Sequence, residues 1–205
     1  MAAELAAVGR RFYARGWAVG TSGNFSAVLA RQPLRLAITA SGLSKRELAA
    51  SQILRCDERG TPVSTASDGK SGKPSAETLL HVEIVRSRDA GAVLHTHSVW
   101  STMLSERYAA AGGLAIEGFE MLKGLAGVST HEHREWIPVI DNDQDMARLA
   151  RVVAGTLASN TPAHAFLLRR HGLYTWGASL AEAERHVEIL EFLFETICRS
   201  DVGSV

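Results

Sequence analysis

The sequence has little cysteine, no surplus of either charge and no long apolar run, and each shortage removes a class of protein. Only Cys56 and Cys198 occur among 205 residues. Two unpatterned cysteines support neither a disulfide framework nor a cysteine-rich zinc site, and both are read as thiols. Lysine plus arginine equals aspartate plus glutamate at 22 each. With no basic block either, the electrostatic footprint of a nucleic-acid binder is missing, and any anionic ligand must be held locally. No stretch approaches the roughly 18 apolar residues of a membrane span. Met1 to Arg10 is alanine-rich with Glu4 early, and lacks the uninterrupted apolar core of a signal segment. These shortages predict a soluble, cytoplasmic protein with neither nucleic-acid nor membrane partners. Walker and dinucleotide glycine fingerprints are absent, so no nucleotide cofactor is implied. There is no convincing repeat and no long linker. At 46% hydrophobic and 21% charged, residues 1–205 read as one domain with a full core.

What is present is an alternation of helical and strand patterns. Helix is predicted over Glu4–Ala14, from Ser75 to about Arg88, over Ser101–Ala111 and over Gln144–Leu157. A last helix opens with Ser179-Leu180-Ala181-Glu182, a capping box, and carries Ala183, Val187, Leu190, Phe194 and Ile197 as one apolar stripe. Strand-like pieces are Phe25–Ala30, Leu36–Thr39, Val93–Ser98, Ile137–Ile140, Ala165–Arg170 and Leu173–Trp176. The short turn at Arg31 to Pro33 joins the first two as an antiparallel hairpin, which argues against a purely parallel sheet. Asp57 to Lys73 is rich in small polar residues and reads as loop, with Pro62-Val63 a possible strand interruption. Trp17, Trp100, Trp136 and Trp176 read as packing groups.

Three features carry chemistry. His95-Thr96-His97 closes an apolar run, and side chains two apart on a strand share a face, so both imidazoles can reach one cation; His171 closes a second apolar run far downstream. Three neutral imidazoles leave an open coordination position, the pattern of catalytic zinc. His131-Glu132-His133 is a rival pair in more polar surroundings, while His81, His164 and His186 read as solvated or hydrogen-bonded residues. The second feature is a set of small-residue turns: Gly20-Thr21-Ser22-Gly23-Asn24, Thr39-Ala40-Ser41-Gly42 and Ser71-Gly72-Lys73-Pro74-Ser75. Their amides and hydroxyls, with a helix starting at Ser75, suggest a phosphate pocket to which Lys45, Lys70 or Lys73 could add charge. Third come two carboxylates able to move protons, Glu77 and Glu120, either of which could be the acid or base.

In order and spacing, Gly20-Thr21-Ser22-Gly23-Asn24, Thr39-Ala40-Ser41-Gly42, Pro74-Ser75-Ala76-Glu77, His95-Thr96-His97 and Arg170-His171-Gly172 resemble the class II aldolase and adducin head family over nearly the whole chain. Through Glu120-Met121-Leu122-Lys123-Gly124, Ile137-Pro138-Val139-Ile140-Asp141-Asn142 and Arg169 to Gly177, it is most similar to the branch that dehydrates 5-methylthioribulose 1-phosphate in methionine salvage. The resemblance implies a three-layer α/β/α fold around a mainly antiparallel sheet, and a homotetramer with active sites near subunit boundaries. It implies one zinc ion per subunit on His95, His97 and His171, a sugar-phosphate substrate, and phosphate contacts from Ser22, Gly23, Asn24, Ser41, Gly42 and Ser75. Dehydratase relatives place their acid/base at the position of Glu120 and aldolase relatives at that of Glu77; this chain has both. Ala76 departs from the aldolases' serine pair and offers only a backbone amide. An aldolase or pentose-phosphate 4-epimerase is the alternative on the same metal, and a non-catalytic assembly protein the alternative of another class.

Overall fold

The computed structural model describes residues 1–63 and 72–201. Eight strands form one sheet: β1 (Asn24–Arg31), β2 (Leu34–Thr39), β3 (Ile53–Asp57), β4 (Ala92–Thr96), β5 (Gly113–Ile116), β6 (Glu135–Ile140), β7 (Ala165–Leu168) and β8 (Gly172–Gly177). Their spatial order is β3-β2-β1-β4-β8-β7-β6-β5. Every neighbouring pair is antiparallel except β6 with β7. The two strands that periodicity does not reveal, β3 and β5, are the two edges of this sheet. Each is short, and Arg55 and Ala115 are exposed within them, so neither presents a continuous apolar face.

Period-two alternation sorts the central strands onto two layers of helix. Val93, Phe166, Leu168, Tyr174 and Trp176 face α2 (Thr78–Arg88) and α4 (Met146–Ser159). Their neighbours Leu94, Leu167 and Leu173 face the other layer, made of α1 (Ala2–Ala14), α3 (Val99–Arg107) and α5 (Leu180–Asp201). The result is the expected α/β/α sandwich. On α5, Ala183, Val187, Leu190 and Phe194 are fully buried. Ser179 Oγ accepts from Glu182 N, while Glu182 Oε1 accepts from Ala178 N rather than from Ser179.

Boundaries differ from the sequence reading in two places that matter. The helix expected from Ser75 begins at Thr78, because Ser75 Oγ accepts the Glu77 amide and Ser75 O takes both the amide and the hydroxyl of Thr78. The helix expected over Ser101–Ala111 starts earlier, at Val99, capped by Ser98, and gives way to a single 3₁₀ turn at Ala109–Ala111. Pro62 bridges to Cys56 and Val63 N donates to Arg55 O, so that strand-like interruption is present; Ser71 and Lys70 lie outside the described residues. Among the described residues, no helix is long and apolar enough to cross a membrane.

Candidate metal centre

Three imidazoles converge at one end of the central strands. His95 Nε2 lies 2.8 Å from His97 Nε2 and 3.3 Å from His171 Nε2. His95 is the penultimate residue of β4, stacked on Tyr174 of β8 with ring centroids 3.9 Å apart. Its Nδ1 donates to Leu173 O at 2.9 Å, which fixes the tautomer and leaves Nε2 bare. His97 has left the sheet: β4 ends at Thr96, and the His97 amide donates to Trp17 O at 2.8 Å. His171 is presented by the β7–β8 turn, where Arg170 takes a positive φ of 55°. That turn is anchored to α3, with Ser105 Oγ accepting from Arg170 N and Glu106 pairing with both Arg169 and Arg170.

Glycine is required where β8 meets β4, since a Cβ on Gly172 would strike the Thr96 carbonyl. Gly23 answers the same need on the other side: φ is +74°, and a Cβ would sit 2.9 Å from His95 O.

Burial sets the charge state. It drives His95 well below its ordinary range, His97 down to about 2, and lowers His171. All three are thus neutral, with lone pairs available to a cation, and neither carboxyl nor thiol is needed to complete a three-nitrogen set. The donor set therefore fits a zinc-like divalent ion with an open coordination position. Glu77 flanks it, with Oε1 3.3 Å from His171 Nε2 and Oε2 3.5 Å from His95 Nε2.

His97 and His171 open on a cleft of about 280 Å³, whose lining takes residues from the first two small-residue turns and Ser75 from the third. Ser22, Gly23, Asn24, Ser41, Gly42 and Ser75 all border it. The turns are stitched together: Ser41 N donates to Lys73 O, Ala40 bridges to Pro74, and buried Lys45 Nζ donates to Thr21 O and Leu43 O. Burial pushes Lys45 down to about 8. Three of these six residues have other engagements, Ser75 Oγ already accepting from the Glu77 amide. Ser22 Oγ donates to Val19 O, and both ends of the Asn24 amide are taken, by Glu77 and by His81.

Glu120 is not brought to this cluster within its own chain. It opens a 3₁₀ turn at the surface, its side chain 71% exposed, paired with Lys123 and 3.9 Å from His131. Glu77 by contrast is only 14% exposed. The rival His131-Glu132-His133 does not converge either. His133 instead meets buried Glu135 at 2.8 Å, and Glu135 also binds His164 through Nδ1 and the backbone amide. Burial alone would raise Glu135, but hydrogen bonds from His164 and His133 hold it below its ordinary value. His164 is raised in turn against its own burial, so the group is a closed ion pair.

Sequence reasoning missed Asn142 and Gln144, which line the cleft from the segment between β6 and α4, and Met146, which lines it from the start of α4. It also missed Tyr174 beneath His95. The β6–α4 connection brings the first three to the cleft and strand register brings Tyr174 under His95; Asn142 and Tyr174 fall in segments that carry the family resemblance, but nothing local assigns them to the site.

Comparison with known proteins gives one consistent set of relatives. A family profile described as the class II aldolase and adducin N-terminal domain matches residues 3–198. A methylthioribulose-1-phosphate dehydratase of Methylococcus capsulatus is 47% identical over 195 residues, 95% of this chain and 91% of the relative. Its counterpart in Pseudomonas aeruginosa is 45% identical over 193 residues, 94% of this chain and 90% of the relative. Among solved structures, L-fuculose-1-phosphate aldolase of Thermus thermophilus superposes with a TM-score of 0.75 at 25% identity, covering 100% of this chain and 98% of that one. YgbL of Klebsiella pneumoniae, described as a putative aldolase/epimerase/decarboxylase, superposes with a TM-score of 0.77 at 27% identity, covering 96% and 87%.

Proposed function

The chain belongs to the class II aldolase and adducin N-terminal domain family, and from that premise we propose that it is a metal-dependent hydro-lyase converting 5-methylthio-D-ribulose 1-phosphate to 5-methylthio-2,3-dioxopentyl 1-phosphate and water. The observation that carries the dehydratase reading over the aldolase reading is identity of 45–47% across nearly the full length with proteins named for that reaction, against 25% with an aldolase of the same fold. We take residues 1–205 as one domain, acting in the cytoplasm within methionine salvage as part of a homotetramer.

His95, His97 and His171 are assigned the metal, with zinc the ion that three neutral imidazoles and an open position suit. Bound there, the ion supplies Lewis-acid stabilisation of negative charge developing on substrate oxygens. The chain's own groups do the rest. The turns at Ser22-Gly23, Ser41-Gly42 and Ser75 line the cleft where the phosphate is assigned, and the Lys45 ammonium behind them offsets its charge. Asn24 is assigned to the same wall but acts through Glu77, because its amide is already committed.

The reaction needs a base at C3, whose hydrogen the C2 carbonyl acidifies, and an acid at the C4 hydroxyl, which is β to that carbonyl and departs as water. The enol left behind then ketonises to the 2,3-diketone. Glu77 and Glu120 are the assigned proton carriers. Glu77 stands beside the imidazoles in its own chain, whereas Glu120 is exposed, and its part is assigned across a boundary between subunits of the proposed homotetramer.

The deciding experiment incubates the zinc-loaded protein with 5-methylthioribulose 1-phosphate and follows the product by mass spectrometry, with a chelated sample beside it. Metal-dependent loss of one water from an intact carbon chain is the expected result. Cleavage to a three-carbon phosphate, or turnover of another sugar phosphate alone, would transfer the protein to the aldolase or epimerase branch.

A further inference from the structure

A single line of buried hydrogen bonds runs from the sheet into the candidate site. Ser26 Oγ lies 2.7 Å from His81 Nδ1; His81 Nε2 lies 2.5 Å from Asn24 Oδ1; Asn24 Nδ2 donates to Glu77 Oε2 at 2.5 Å. Ser26 and His81 are fully buried and Asn24 nearly so. The line follows from two periodicities. Asn24 and Ser26 are two apart on β1 and share the face of His95 and Val93, which they oppose across the β1–β4 ladder. Glu77 and His81 are four apart at the start of α2, so both fall on the helical face that meets those strand residues.

We propose that His81 is a positioning residue for the dehydration, fixing the Glu77 carboxylate against the three-histidine cluster through Asn24, whose amide oxygen sets the His81 tautomer while the Ser26 hydroxyl satisfies Nδ1. With Glu77 ionised and His81 neutral, the donor and acceptor inventory permits one proton arrangement. A carboxylate only accepts, so the Asn24 amide must turn its NH₂ to Glu77 and its oxygen to His81. His81 must then carry its proton on Nε2, and its bare Nδ1 accepts from the Ser26 hydroxyl. Burial holds His81 down to about 4, in agreement with a neutral ring. The Asn24 oxygen thereby has a fixed donor, which removes the amide rotation that would otherwise turn an oxygen towards Glu77. A carboxylate held at one angle and distance is what proton transfer at a bound carbon acid requires.

The inference rests on the part assigned to Glu77, and its test separates the two. Two-bond ¹H–¹⁵N correlation on the metal-loaded wild-type protein reads the His81 tautomer without any substrate. The expected pattern is Nε2 protonated and Nδ1 bare; an Nδ1–H tautomer or an imidazolium overturns the arrangement. His81→Gln keeps a donor at the Nε2 position and His81→Leu does not. Both variants should retain metal, but Leu should lower kcat on the order of 100-fold with KM little changed, and Gln should recover most of that loss. Equal kcat values in the two variants, with metal content intact, would refute the positioning role. A wild-type protein that leaves the sugar phosphate unchanged would defeat the proposed function instead, and the tautomer would still decide the hydrogen-bond line.

Discussion

Glu191, on α5, has its carboxyl buried against the end of β4. Its Oε1 accepts from Thr96, the residue between His95 and His97. Burial pushes its pKa up to about 7 against hydrogen bonding from Ser98 and Thr96, which lowers it, with the Glu195 charge one turn on adding a smaller rise. The folded chain thus keeps a proton that the unfolded chain releases near pH 4.5. Stability from this group is full below that value, falls as the pH rises towards 7 and is flat above, a loss of about 3 kcal/mol. Glu191→Gln keeps the acceptor for Thr96 and removes the ionisation. Its melting temperature should exceed that of the wild type at pH 8 and match it near pH 4.5; parallel curves across that range would show that Glu191 ionises freely in the fold. The same residue scale explains why His81 reads as an ordinary histidine in the sequence. Its meaning depends on Asn24 and Ser26, more than fifty positions away.

Strand ends, rather than strand centres, carry the site. β4 delivers His95 from within the ladder and releases His97 just beyond it, and the β7–β8 turn delivers His171 against them. This arrangement holds only if β8 can close on Thr96, which is why residue 172 has no side chain. Gly172→Ala should force the two strands apart, costing roughly 1–3 kcal/mol and weakening metal binding together with stability. The control is Gly155, on α4, where an added Cβ meets nothing within 4 Å. Gly155→Ala should instead stabilise by about 0.5–1 kcal/mol through helix propensity, with metal affinity unchanged. Thermal melts and metal titrations on both variants test the pair of expectations, and equal metal affinity in Gly172→Ala and wild type would show that the contact is not needed for the centre.

For the molecule as a whole, the separation of Glu120 from the histidines of its own chain makes assembly part of the proposed chemistry. Glu120→Gln and His97→Ala should each be nearly inactive alone. Subunits mixed by reversible unfolding should recover up to about a quarter of wild-type activity, the statistical share of boundaries that pair an intact glutamate with an intact cluster. Mixed oligomers with no recovery would show that Glu120 does not act across a subunit boundary. The sequence by itself determined the central strands, the long helices, the three histidines and the small-residue turns, because alternation, helical spacing and rare residue types are local signals. It also determined the family, since those motifs recur in fixed order. Only the tertiary structure decided the edge strands β3 and β5, the departure of His97 from the sheet, the commitment of Asn24 to Glu77, and the roles of Tyr174 and His81. Those depend on strand register and on which face of α2 meets β1, contacts between residues far apart in the chain that no local pattern encodes.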